Sequence, residues 1–349
     1  MSRYIDRFAL GMLAAIGVAG LAKAQEPITH GSDWPDWAYG YLAPLGPDDV
    51  LAPPCPLDAE PMSCRIPGQP VPDDGVKLTL PDAPKAYTRN EAWNGFGPAD
   101  WYPQDHPPMP DIIAHGNRES GVRACALCHY PNGQGKMENA HVAGLPKNYI
   151  LQQLEAFERG DRHSADRRKV NTNEMSRMPH WMTDAERQQA AEYFSSLSYR
   201  SWVRVVETDE APQVRASGGL MIPIEGAPPM PIGNRIIEVP AVPERMELHR
   251  DPRVGFITYV PRGSIAKGES LVTTGGGKTI QCGLCHGPDL EGLGDIPPIA
   301  GRTASYTMRQ LWDIKQGTRK SAGAMEPVVQ NLSSEDMLNI VAYLASLEP

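Results

Sequence analysis

Four of the chain's six cysteines fall in two short strings, Cys125-Ala-Leu-Cys128-His129 and Cys282-Gly-Leu-Cys285-His286. Two thiols three residues apart lie on one helical turn, where they can reach the two vinyl groups of a porphyrin, and the adjacent histidine then sits beneath the iron. The pattern is that of covalent haem c attachment. Two haems are therefore expected, held through Cys125, Cys128, Cys282 and Cys285, with His129 and His286 as iron ligands. A shared Cys₄ zinc site is the competing chemistry, but it leaves both histidines unused.

The two strings belong to a longer repeat. A shift of 157 residues superimposes Ala143-Gly144 on Ala300-Gly301, Tyr149 on Tyr306, Gln153-Leu154 on Gln310-Leu311 and Gly160 on Gly317. A shift of 150 then brings Met175 onto Met325, Tyr193 onto Tyr343 and Leu197 onto Leu347. The first copy thus carries seven extra residues between Gly160 and Met175. Two homologous haem domains follow.

Each copy has the elements needed to position the attachment turn. A leading helix is expected at Pro110 to His115 or Ser264 to Thr273, and an amphipathic helix at about Asn148 to Arg159 or Ala304 to Gln316. A final helix starts at a capping box, Thr183 to Glu186 or Ser333 to Asp336. Its apolar face is Ala191, Phe194 and Leu197, or Ile340, Val341 and Leu344.

Met175 and Met325 are expected in irregular segments before these final helices, each as the sixth ligand opposite its histidine. Methionine raises the reduction potential, and two protein ligands leave no open position for a substrate. Met325 has no competitor in its loop, whereas Met178, His163 and His180 share the enlarged loop with Met175. The other ring nitrogen of each histidine needs a carbonyl acceptor, Pro297 for His286 and the aligned Ala140 for His129. Two haems of unequal potential are expected.

At these residues the sequence resembles the diheme class I, cytochrome c4-like family. The matching strings are the Cys-x-x-Cys-His motifs, Tyr149…Gln153-Leu154…Phe157…Gly160…Arg162 with Tyr306…Gln310-Leu311…Ile314…Gly317…Arg319, and Met175 or Met325 with the tyrosine-bearing terminal helix. The resemblance covers residues 105 to 200 and 263 to 349 and implies periplasmic electron carriers with His/Met haems.

The rest of the chain departs from that pattern. Eighteen of its 35 prolines lie within residues 25 to 110, so residues 25 to 104 are expected as an extended segment wrapping a haem domain. Its tryptophans and tyrosines suit self-packing, or a docking surface for a partner. Cys55 and Cys64 are expected to pair as a disulfide. Residues 202 to 262 carry short β-branched runs at Val203 to Val206, Leu220 to Ile224, Ile236 to Val239 and Gly255 to Val260, the pattern of a small β-rich module. Such a module would set the spacing of the two haems, so the compact pairing of c4-like domains does not simply carry over. Gly275 to Lys278 lacks the spacing of a phosphate loop and reads as a turn. The fold class is mainly α: cytochrome c domains at 105 to 201 and 263 to 349, the Pro-rich segment before them and the β module between.

Residues 1 to 24 have Arg3 and Arg7 before a short apolar run and end in Ala22-Lys23-Ala24, an export leader cleaved after Ala24. No later segment is long and apolar enough to span a bilayer. Periplasmic localisation is expected. The net charge of −9 becomes about −11 once Arg3, Arg7, Lys23 and Asp6 leave with the leader, which excludes nucleic acid and favours basic protein partners. The reading is an electron-transfer protein and not an enzyme, working between a dehydrogenase, a quinol–cytochrome c oxidoreductase or a terminal oxidase. The alternatives are the cytochrome subunit of a larger complex, peripheral to the membrane, and a diheme peroxidase.

Overall fold

The computed structural model describes residues 30–45 and 74–349. The expected leader and the expected Cys55–Cys64 disulfide lie outside them. Each haem domain is a small helical unit around its attachment turn. In the first, the helices Asp111–Ala114, Cys125–His129, Lys147–Glu158 and Asp184–Ser196 enclose a core of Ile112, Ile113, Ile150, Leu154, Tyr193 and Phe194. In the second, the corresponding helices are Ser264–Thr274, Gly283–His286, Ala304–Lys315 and Ser334–Ser346. Both capping boxes form: Thr183 Oγ1 accepts from Glu186 N at 3.2 Å, and Ser333 Oγ from Asp336 N at 3.1 Å. These bonds satisfy orphan donors and start each final helix so that Phe194 or Leu344 turns inward.

Between the haem domains the chain forms a three-stranded sheet. Phe256–Pro261 is central, parallel to Val203–Thr208 and antiparallel to Ile237–Pro240. A hairpin, Val214–Ser217 with Leu220–Pro223, packs beside it. The module leaves the haem domains in contact. They touch directly: Arg162 pairs with Arg319 in a backbone bridge, His163 N donates to Thr318 O at 2.9 Å and Lys320 N to Asp161 O at 2.8 Å. The sheet lies alongside this seam and shares one continuous core with the second haem domain.

The N-terminal residues 30–45 lie against the Ala304–Lys315 helix. Trp34 meets Trp312 edge-on with centroids 5.5 Å apart, and the buried Tyr39 hydroxyl donates to Asp313 Oδ1 at 2.7 Å. Residues 74–105 build a small core of their own from Leu80, Ala92, Trp101 and Tyr102, fastened where Trp101 Nε1 donates to His249 O at 2.8 Å. Most of these aromatics therefore pack on the chain itself.

One buried carboxylate ties the module to the second haem domain. Glu238, on Ile237–Pro240, accepts from Thr258 Oγ1 at 3.1 Å and from Ala304 N at 2.8 Å, at the start of the Ala304–Lys315 helix. Burial, outweighing these donors, lifts its carboxyl from 4.5 to about 7. The native state keeps a proton that the unfolded chain loses, so this contribution to stability is complete below 4.5 and is lost as pH rises to about 7. The loss over that window should be on the order of 3 kcal/mol. Urea unfolding at pH 4.5 and at pH 7.5 should show it in the wild type, and Glu238→Gln should flatten the slope.

Candidate functional site

The first attachment helix places Cys125, Cys128 and His129 on the wall of a cavity. His129 Nδ1 lies 2.9 Å from Ala140 O. A carbonyl only accepts, so Nδ1 carries the proton and the Nε2 lone pair is left to bind a metal. Burial holds the imidazole below its ordinary pKa against the opposing effect of that hydrogen bond, which keeps it neutral as a ligand must be. The apolar walls are Leu145, Ile150, Leu154, Phe157 and Phe194.

Three thioethers reach this cavity: Met175, Met178 and Met182. Met175 lies inside a helix, Val170–Arg177, and not in the irregular segment expected. The extra residues give the loop room for two turns, and tertiary contacts hold them: Glu174 pairs with Arg123, and Asn171 Nδ2 donates to Glu138 O at 3.0 Å. His163 also lines the cavity. His180 does not; it is exposed beside Trp181.

At the second site the same hydrogen bond recurs, His286 Nδ1 lying 2.8 Å from Pro297 O. His286 is buried, Cys282 half-buried and Cys285 exposed. Met325 ends the short helical stretch Lys320–Met325 and packs on the core of this domain. The two cysteine pairs sit in separate domains and, among the described residues, do not come within ligand distance of one another, so a shared zinc site fails.

Sequence reasoning also missed that the second domain lines this cavity, through Tyr306, Arg309, Gln310 and Asp313. They belong to a reciprocal seam. Arg162 donates to Tyr306 Oη at 3.2 Å and Gln310 Oε1 at 2.9 Å, while its counterpart Arg319 donates to Tyr149 Oη at 2.7 Å and Gln153 Oε1 at 3.1 Å. Equivalent residues thus exchange equivalent bonds across a pseudo-two-fold axis, the signature of an isologous contact. Burial raises the Tyr149 phenol, but the guanidiniums of Arg319 and Arg162 outweigh it and hold it below the ordinary tyrosine value. The repeat contained these residues, but nothing in it distinguished contacts within a copy from contacts between copies.

Comparison with known proteins agrees with this geometry. Residues 113–198 match the family described as Cytochrome c, and residues 264–344 match Cytochrome C oxidase, cbb3-type, subunit III. Cytochrome c-554(548) of Halomonas halodenitrificans is 37% identical over 89 residues, which cover 99% of that protein and 25% of this chain. Cytochrome c4 of Stutzerimonas stutzeri is 25% identical over 250 residues, 90% of its length and 67% of this chain. The chain belongs to the diheme class I, cytochrome c4-like family. A further relative, 25% identical over 228 residues covering 78% of it and 64% of this chain, is the thiosulfate dehydrogenase electron acceptor of Thiomonas intermedia.

Cytochrome c domains carry covalently bound haem c, and the residues here fit that group. Each attachment helix presents two cysteines one turn apart and a neutral histidine whose Nε2 is available. Burial pushes the Cys125 thiol up to about 12 and that of Cys282 up to about 11. A c4-like chain with these sites is a diheme electron-transfer cytochrome.

Proposed function

We propose that this chain is an exported electron relay in which His129 with Met175 and His286 with Met325 ligate two covalent haems, and which passes single electrons between periplasmic redox proteins. The observation that carries the reading is the pair of equivalent attachment helices, each with its histidine locked by a carbonyl, joined directly across the Arg162–Arg319 seam. When bound, each haem takes up and gives back one electron at its iron. The chain's part is to keep both histidines neutral, to offer the Met175 and Met325 thioethers that would join them in holding the haems, and to keep the two sites in fixed register. The name of the Thiomonas relative supports a dehydrogenase as electron donor; a quinol–cytochrome c oxidoreductase or terminal oxidase remains within the same reading.

Absorption spectroscopy with a redox titration tests this. Two low-spin haems c per chain are expected, with the far-red band of methionine on ferric iron and no spectral change when carbon monoxide is added to the reduced protein. Carbon monoxide binding, or peroxide turnover, would overturn the relay in favour of a peroxidase. The titration should resolve two steps, because Ala140 and Pro297 hold their histidines on backbones of different stiffness and the two sites differ in exposure. A single potential for both haems would contradict that.

A further inference from the structure

The two haem domains present the loop after the histidine in opposite ways. In the second domain residues 288–296 are exposed except for the anchor Leu290 and the half-buried Gly292, and the loop is pinned by Gly292 N donating to His286 O at 2.8 Å. In the first, the aligned residues 131–139 are buried apart from the half-buried Asn132 and Asn139. Segments outside the haem repeat cover them. Tyr130 donates to Met246 Sδ at 3.2 Å, Asn132 Nδ2 to Pro252 O at 3.3 Å, and a Cβ added at Gly219 would stand 3.0 Å from Glu138 Cβ. Trp93 of the Pro-rich segment lies under Lys136 Nζ, 5.4 Å from the ring centroid.

The residue types follow the exposure. Four of the nine large exposed hydrophobics among the described residues surround the second attachment turn: Ile280 at 44%, Leu284 at 67%, Leu293 at 61% and Ile296 at 36%. Leu293 and Ile296 are bridged to each other by backbone hydrogen bonds of 3.1 and 3.0 Å. The positions aligned with these four in the first domain are Arg123, Leu127, Lys136 and Asn139, of which Leu127 is 7% and Lys136 4% exposed. An apolar patch of this kind on a surface marks an interaction site.

Its rim is acidic. Asp289, Glu291 and Asp295 are exposed, and residues 279–301 contain no lysine or arginine. Among the described residues, Asp295 accepts from the neutral Asn148 Nδ2, at 3.2 Å. Nearby Lys278 is engaged by Asp336 at 2.8 and 2.9 Å. An anionic lipid surface or a second copy of this acidic chain would meet like charge here, whereas a basic protein is drawn in.

We infer that redox partners dock on the second haem domain alone, around the exposed Cys285, and that the partner is a basic protein presenting an apolar contact patch. This rests on the relay reading above and adds a direction to it: the first haem exchanges electrons with partners through the second.

The test uses the holoprotein, with a basic monohaem cytochrome c as probe. Leu284→Gln with Leu293→Gln should weaken binding by about tenfold or more, since both are exposed and their loss leaves the fold intact. Asp289→Asn, Glu291→Gln and Asp295→Asn together should slow association and flatten its salt dependence. Val242→Gln with Ile224→Gln, exposed on the β module, should change neither. Equal weakening by that control pair would overturn the inference. So would binding to anionic phospholipid vesicles in place of the cytochrome, or self-association abolished by the leucine variants. If the reduced holoprotein cannot reduce the ferric probe at all, the relay reading fails; if it does so and the variants have no effect, only the docking face fails.

Discussion

Met325→Ala should lower the potential of the second haem by on the order of a few tenths of a volt and let carbon monoxide bind it in the reduced state, while Met175→Ala should do markedly less at the first. The asymmetry comes from the walls of the two sites. Around the first, Met178 and Met182 line the same cavity as Met175, and both are buried, so a second thioether stands ready on the same side. Around the second, Met325 is the one methionine in its loop, and the residues aligned with Met178 and Met182 are Val328 and Leu332. Potentiometry of the two variants, with the far-red band counted per chain, checks this. Loss of half that band in Met325→Ala and little loss in Met175→Ala is the expected pair. Equal losses would show that Met175 is as exclusive a ligand as Met325, and no loss in Met325→Ala would remove it from the iron.

What the sequence made legible, and what it hid, divides along one line. Features specified by a few adjacent residues were readable: the attachment turns, the Thr183 and Ser333 caps, the strands at Val203–Thr208 and Phe256–Pro261, and the carbonyls of Ala140 and Pro297 as histidine partners. Features that depend on contacts between distant segments were not. The Val170–Arg177 helix carries Asn, Thr and Ser where an amphipathic stripe would announce it, and it is held by Arg123 and Glu138 from elsewhere. The seam was hidden for the same reason. Arg162 and Arg319 each read as the end of its own copy's motif, and only the fold shows that each completes the other copy's tyrosine and glutamine. The β module appeared as a spacer because its length was visible and its packing face was not.

Gly268→Ala should destabilise the second haem domain, against the direction helix propensity alone would give. Gly268 sits inside Ser264–Thr274, where alanine is intrinsically better by about 1 kcal/mol. Yet a Cβ there would lie 1.9 Å from Asn339 O and 2.8 Å from Tyr343 Cβ, at the crossing with Ser334–Ser346. The first of these atoms is backbone, so no rotamer change relieves the clash and one helix must move away from the other. That movement opens the contacts of Leu271 and Val272 with the core of Ile340, Val341 and Leu344. Overpacking of this kind costs about 1–3 kcal/mol, more than the propensity gain at its upper end. For a domain of this size each kcal/mol corresponds to roughly 4–8 °C in Tm. Thermal unfolding followed by circular dichroism should therefore show Gly268→Ala melting several degrees below wild type, and an unchanged or raised Tm would mean that the two helices can part at no cost. The first haem domain supplies the internal control. Its aligned residue, Asp111, opens a helix of only four residues, Asp111–Ala114, so Asp111→Ala loses no such crossing and should leave the melt nearly unchanged.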